Sequence, residues 1–357
     1  MAADLSITGK PRQAWLDYVR LGSIFLVVLF HTPPRLPLLD DAVVFNMRVP
    51  VFFAISGFLY SHGRWATRFR DFLTHRARQI LVPYATFFLL FYLLWLAVGR
   101  AMEGAAEQAI PVYQPVLEWA TGNPRTVCGP FWYIACLFTM QVGYYWLCRA
   151  VDSPARRLTV ALALSVGYQA AGYLVPFSLY VPFWNITHAI QFLPFYALGD
   201  CARTALQRVE FSSVRATVAL LLAFAASIAV AVAALPVADE WLKGLIRIGC
   251  GFALLPAYLA AGKAVARRAG TRRWVQMIVV NGTVYLALQN YAIGICRIAL
   301  DRMAQPGFLD LNPWCKPVVA LLVMAAIFPF AWLIHHHAPW MLGKKRDAPT
   351  HGSGPAR

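Results

Sequence analysis

Leu16-Asp17-Tyr18-Val19-Arg20-Leu21-Gly22-Ser23-Ile24-Phe25-Leu26-Val27-Val28-Leu29-Phe30-His31 is the stretch on which the fold turns. It is apolar over much of the length that a bilayer crossing needs, yet it holds Arg20 and His31, which are expensive in hydrocarbon. The two lie nearly three turns apart at about 3.6 residues per turn, so both project from one helical face. The rise between them is roughly 16 Å, about half the hydrocarbon thickness. A helix that keeps such groups against their desolvation cost has a use for them.

The rest of the chain fits that reading. Of its 357 residues, 59% are hydrophobic and only 13% are charged, where a soluble domain carries about a quarter charged residues. Apolar runs recur at roughly 15–32, 43–62, 79–98, 129–148, 157–175, 182–200, 214–235, 243–262, 275–297 and 316–335. They predict an all-α polytopic membrane protein of about ten transmembrane helices. The expected organisation is a single membrane domain over residues 1–340 and a basic tail over 341–357, whose composition reads as disordered. The formal charge of +16 does not make the chain a nucleic-acid binder, because its cations follow the topology. With the N-terminus in the cytoplasm, 22 of the 32 Lys and Arg fall in cytoplasmic segments and only 6 in opposite loops. That asymmetry predicts cytoplasmic N- and C-termini. The first helix is expected to act as an uncleaved anchor, since no small-residue cleavage site follows its apolar run.

Several spans carry helix breakers: Pro50 and Gly57, Pro194 and Gly199, Gly251 and Pro256. Such residues are tolerated in membrane helices where neighbours re-satisfy the backbone, often beside a cavity. The long connection at 99–128 reads either as a lid or as a simple cover. The seven cysteines show no C-x-x-C spacing; Cys128 and Cys315 fall on the outer side, where a bridge is open to them. His335-His336-His337 is not read as a metal site, because consecutive helical residues diverge by about 100°. No phosphate-cradling, zincin or nucleophile-elbow motif is present.

The Arg20-x10-His31 spacing in a first membrane helix resembles the hallmark of the acyltransferase-3 family, integral membrane enzymes that acylate sugars and other acceptors. Four further stretches carry the same resemblance: Phe52-Phe53-Ala54-Ile55-Ser56-Gly57-Phe58-Leu59, Arg76-Ala77-Arg78-Gln79-Ile80-Leu81-Val82-Pro83-Tyr84, Gly129-Pro130-Phe131-Trp132-Tyr133-Ile134, and Phe192-Leu193-Pro194-Phe195-Tyr196-Ala197-Leu198-Gly199. Together, in order, they extend over most of the chain. At Val284-Tyr285-Leu286-Ala287-Leu288-Gln289-Asn290 the sequence departs from a Tyr-Leu-x-His-like stretch found in many members, with Leu288 and Gln289 where a His is common.

The residues suit that chemistry. A neutral imidazole can take the proton of an attacking hydroxyl, which makes His31 the expected base. Arg20, deeper and on the cytoplasmic side, is suited to a donor phosphate or a thioester carbonyl. Asp17, an i,i+3 neighbour, could orient its guanidinium. Arg48 should lie near the depth of His31, either against an acyl carboxylate, a sugar or an oxyanion, or snorkelling to headgroups. Arg76 and Arg78 stand where a coenzyme A donor would bring its phosphates; the same residues also serve as ordinary positive-inside charge. Trp132 could stack on a sugar or belong to an interfacial aromatic belt, and His188 and Arg247 are further acceptor-side candidates.

The expected reaction is transfer of an acyl group, most simply acetyl from acetyl-CoA, to a hydroxyl of an envelope polysaccharide, oligosaccharide or glycolipid at the inner (plasma) membrane. Succinyl is the alternative acyl group, since Arg48 suits a carboxylate. No metal and no tightly bound cofactor is expected; an acyl-CoA is the donor substrate, a sugar or glycolipid the acceptor, and the lipid bilayer the surroundings. The rival reading is a transporter or flippase of an acylated or glycan compound, with Arg20, Arg48 and Arg247 along its path.

Overall fold

The computed structural model describes residues 13–36, 40, 45–65, 67–100, 109–174 and 183–344. The long helices are α1 (Ala14–His31), α2 (Phe45–Phe58), α3 (Phe69–Leu94), α4 (Trp132–Ala150), α5 (Pro154–Leu174), α6 (Ile186–Cys201), α7 (Val214–Ala234), α8 (Glu240–Ala269), α9 (Arg273–Val280), α10 (Gly282–Met303) and α11 (Lys316–His337). No strand occurs among the described residues. Within them, six helices are long and apolar enough to cross a membrane, and Met47–Phe58 is a shorter apolar helix. The tail from residue 345, with Lys345, Arg346 and Arg357, and the loop residues Glu103 and Glu107 lie outside the described residues.

The span expected at 275–297 is two helices. Between α9 and α10 the chain turns at Asn281, whose buried side chain donates to the Met277 carbonyl at 2.7 Å and meets His335 Nδ1 at 3.1 Å. The adjoining Asn281-Gly282 pair is a turn signal. The polar side chain satisfies backbone groups that the break would otherwise leave bare in the bundle.

Helix α1 is the hub: it packs against α2, α8, α9, α10 and α11. Small residues bring the helices together. A methyl added at Gly57 on α2 would meet the Tyr196 carbonyl of α6, and one at Gly199 on α6 would meet the Ala54 carbonyl of α2. The two glycines thus face each other's backbones across one crossing, the close approach that small residues permit between membrane helices. Gly22 of α1 and Gly262 of α8 likewise meet Tyr258 and Val19 across their interface. Helix α7 rests on α8 and is exposed over most of its surface, with Leu222 64% exposed.

Contacts between distant segments define the two ends of the bundle. At one end Tyr18 Oη donates to the Gly270 carbonyl, Arg78 Nε donates to the Gly343 carbonyl, and Lys344 Nζ meets His335 Nδ1. At the other end Lys316 Nζ bonds both oxygens of Asp40, at 2.9 and 2.6 Å, and the Pro34 carbonyl at 2.9 Å. Sequence reading treats Lys316 as an ordinary loop cation; in the fold it is a fully buried partner of Asp40, strapping the segment after α1 to the start of α11.

Residues 109–131, before α4, lie against the bundle as a cover. Its short helix Gln114–Ala120 stacks Trp119 on Tyr84, and Tyr84 Oη donates to the Trp119 carbonyl. Glu118 accepts from the Arg125 and Thr126 N–H groups, Thr126 Oγ1 and Gln114 Nε2. Cys128 and Cys315 are free thiols.

Candidate active site

One cavity of about 290 Å³ runs through the bundle beside α1. Arg20 and His31 both line it, so the one-face spacing of α1 becomes one wall of one chamber. Arg48 of α2 lines it too, and its guanidinium lies 3.5 Å from the centre of the Phe30 ring, the residue before His31. Arg48 therefore reaches the His31 end, as its place in the chain predicts. This guanidinium over an aromatic face is a cation–π contact, which compensates part of the desolvation of a side chain 6% exposed.

Around these charges the wall is aromatic and apolar. Trp132 and Tyr133 at the start of α4 contribute to it, and Tyr133 packs on Phe52 and Phe53 at ring distances of 5.7 and 5.1 Å. Ser56, which donates to the Phe52 carbonyl at 2.8 Å, lines the cavity beside them. His31 stands in the field of Arg48, Arg35 and Lys316. A chamber with apolar walls and cations near a base is suited to a reaction that develops negative charge on oxygen, because low dielectric strengthens each such attraction.

The other candidates take different places. Asp17 is buried one turn before Arg20, outside the cavity lining. Arg76 also lies outside the lining, but Nη1 donates to Gln79 Oε1 at 3.3 Å, and Gln79 lines the cavity. Arg78 is drawn to the Gly343 carbonyl. His188 stands behind Trp132, with rings 5.0 Å apart, and its Nδ1 meets Asn185 Oδ1 at 3.2 Å. Arg247 on α8 does not line the cavity. The structure thus brings Arg20, His31, Arg48 and Trp132 together and leaves Asp17, Arg76, Arg78, His188 and Arg247 outside the lining. In the triplet His335-His336-His337, His335 meets Asn281 and His336 Nδ1 meets the Trp332 carbonyl.

Sequence reading singles out the Tyr285–Gln289 stretch as a departure from the family but gives neither residue a site role; in the fold both line the cavity. Both are buried, with 1% and 0% exposure. Their signal is an i,i+4 polar pair within an apolar span, the spacing that puts two side chains on one helical face.

Leu89, Leu93, Leu321 and Leu322 point outward with more than half of each side chain exposed. Apolar surface exposed in this way suits lipid. The fold and cavity together describe a multi-pass membrane protein with a cavity among its helices that holds Arg20, His31 and Arg48. Residues 13–336 match the acyltransferase domain family, and the chain belongs to that family, acyltransferase-3. It is a membrane acyltransferase. No curated protein and no solved structure matches the chain.

Proposed function

We propose that the protein moves an acyl group, most simply acetyl from acetyl-CoA, to a hydroxyl of an envelope polysaccharide, oligosaccharide or glycolipid. The observation that carries this reading is that His31 and Arg48 share one cavity with Arg20. In the proposed orientation both termini and the basic connections are cytoplasmic, the bundle crosses the inner membrane about ten times, and the Arg20 side faces the donor. The donor enters from that side with its phosphates near Arg76 and Arg78, and its pantetheine arm spans the roughly 16 Å between Arg20 and His31.

Chemistry then takes place beside His31. The acceptor hydroxyl oxygen bonds the thioester carbonyl carbon while its proton passes to the imidazole. The carbonyl electron pair moves onto oxygen, where Arg48 favours the negative charge. Collapse of the tetrahedral species breaks the carbon–sulfur bond, and the leaving thiolate recovers the proton from His31. The products are an acyl ester and free coenzyme A. A carboxylated acyl group such as succinyl would find Arg48 an equally apt partner.

The test is transfer of labelled acetyl from acetyl-CoA in envelope membranes that contain the full chain. Wild type should release thiol and label an envelope glycan; His31→Ala, inserted at the same level, should do neither. Label transfer at the wild-type rate by that variant would sink the assignment. Passage of an unmodified solute without thiol release would favour a transporter.

A further inference from the structure

We propose that Tyr285 and Gln289 of α10 form the site that receives the carbonyl oxygen of the transferred acyl group, an inference that rests on the acyl-transfer reading. The starting observation is a pair of polar groups that the fold leaves unmatched. The Gln289 side chain is fully buried, yet among the described residues neither its amide oxygen nor its amide nitrogen has a hydrogen-bond partner. One turn earlier, the buried Tyr285 hydroxyl also lacks one. Both residues line the cavity that holds His31. Burying such groups without partners is destabilising, and where polar satisfaction is breached the breach is expected at a functional site.

Depth puts this pair beside the base. Helices α1 and α10 run in the same direction. Helix α10 starts beside the Asn281–His335 contact, and α11, which closes that contact, begins at Lys316 by the Pro34 carbonyl just beyond α1. At the level of Ile24, α1 meets Gly282 of α10. Seven residues onward, His31 and Gln289 stand at matching heights, about 10 Å above that contact.

The chemistry of the two groups suits an oxygen that gains charge. The phenol donates one O–H, and the amide donates N–H. When the acceptor hydroxyl adds to the carbonyl carbon and its proton goes to His31, the electron pair left on oxygen is met by these donors. When the thiolate departs and takes that proton back, the carbonyl reforms in the ester. Because an amide does not titrate, Gln289 donates equally across the pH range in which His31 changes charge.

Gln289→Leu, Gln289→Met and Tyr285→Phe in the full-length protein test the proposal, with acetyl-CoA as the donor and envelope membranes as the source of acceptor. Each Gln289 variant should lower kcat by about 10²-fold, the scale of one lost oxyanion donor, and Tyr285→Phe should lower it by about 10-fold. The KM for acetyl-CoA should stay within about threefold, and Tm should hold or rise, because an apolar side chain removes a buried unpaired amide. A framework role would instead lower Tm along with activity, and that result overturns the proposal. So does a kcat within about threefold of wild type in both Gln289 variants, or a loss confined to KM. Wild-type protein that transfers no label overturns the acyl-transfer reading and this proposal with it; wild-type transfer with unaffected Gln289 variants overturns this proposal alone.

Discussion

Arg20 and Arg48 are the same residue type set to different tasks by where their helices place them. Arg20 lies roughly 16 Å along α1 from His31, whereas the Arg48 guanidinium lies over the Phe30 ring, 3.5 Å from its centre. Arg20→Gln should therefore raise the KM for acetyl-CoA by about 10- to 100-fold, the scale of one charge-assisted hydrogen bond, and leave the acceptor KM unchanged. Arg48→Lys keeps the charge but loses the planar stack, since an ammonium cannot lie over a ring as a guanidinium does. It should cut kcat by about 10-fold with an unchanged donor KM, worth roughly 1.4 kcal/mol of transition-state stabilisation. Initial-rate measurements over both substrates distinguish the two. Arg20 and His31 were legible as a pair, because a helix's own periodicity decides which of its residues share a face. That the Arg48 guanidinium settles over the Phe30 ring follows from the packing of α2 beside α1, which no local pattern encodes.

At the scale of the element, two contacts decide how helices meet. Gly57 and Gly199 each lie against the partner helix's backbone. Gly199→Ala should cost about 1–3 kcal/mol through overpacking, whereas Gly143→Ala on α4, with open space around it, should be neutral or mildly stabilising. Thermal unfolding in detergent compares them. The Lys316–Asp40 pair is fully buried. Lys316→Met strands the carboxylate and should cost about 3–5 kcal/mol, while Lys316→Met with Asp40→Leu should recover most of that loss. Gly57 and Gly199 were visible in the sequence as breakers, whereas the break at Asn281 was read as part of one span at 275–297. The Lys316–Asp40 pair was not, since its members lie 276 positions apart and each resembles an ordinary loop charge.

At the scale of the molecule, the cover before α4 is held by Glu118. Burial works to raise its carboxyl, but hydrogen bonds from the Thr126 and Arg125 N–H groups, with Gln114 and Thr126 side chains, outweigh it and hold it below its ordinary value of 4.5. A carboxyl lowered on folding stabilises the fold above its unfolded value. That contribution is lost as pH falls from about 4.5 through the lowered value. Wild-type Tm should therefore drop in acid more steeply than that of Glu118→Gln, and Trp119, stacked on Tyr84, should report the loosening by fluorescence.

The sequence by itself carried the apolar all-helical character of the chain and the shared face of Arg20 and His31, because each depends on composition or on a period within one segment. The resemblance of its motifs to acyltransferase-3 proteins was legible for the same reason. Tertiary structure alone decided that α1 is the hub, that the Arg48 guanidinium settles over the Phe30 ring, and that Tyr285 and Gln289 face the same chamber while Arg247 does not. Those placements depend on which helices pack together, and packing is chosen by shape and burial between segments far apart in the chain.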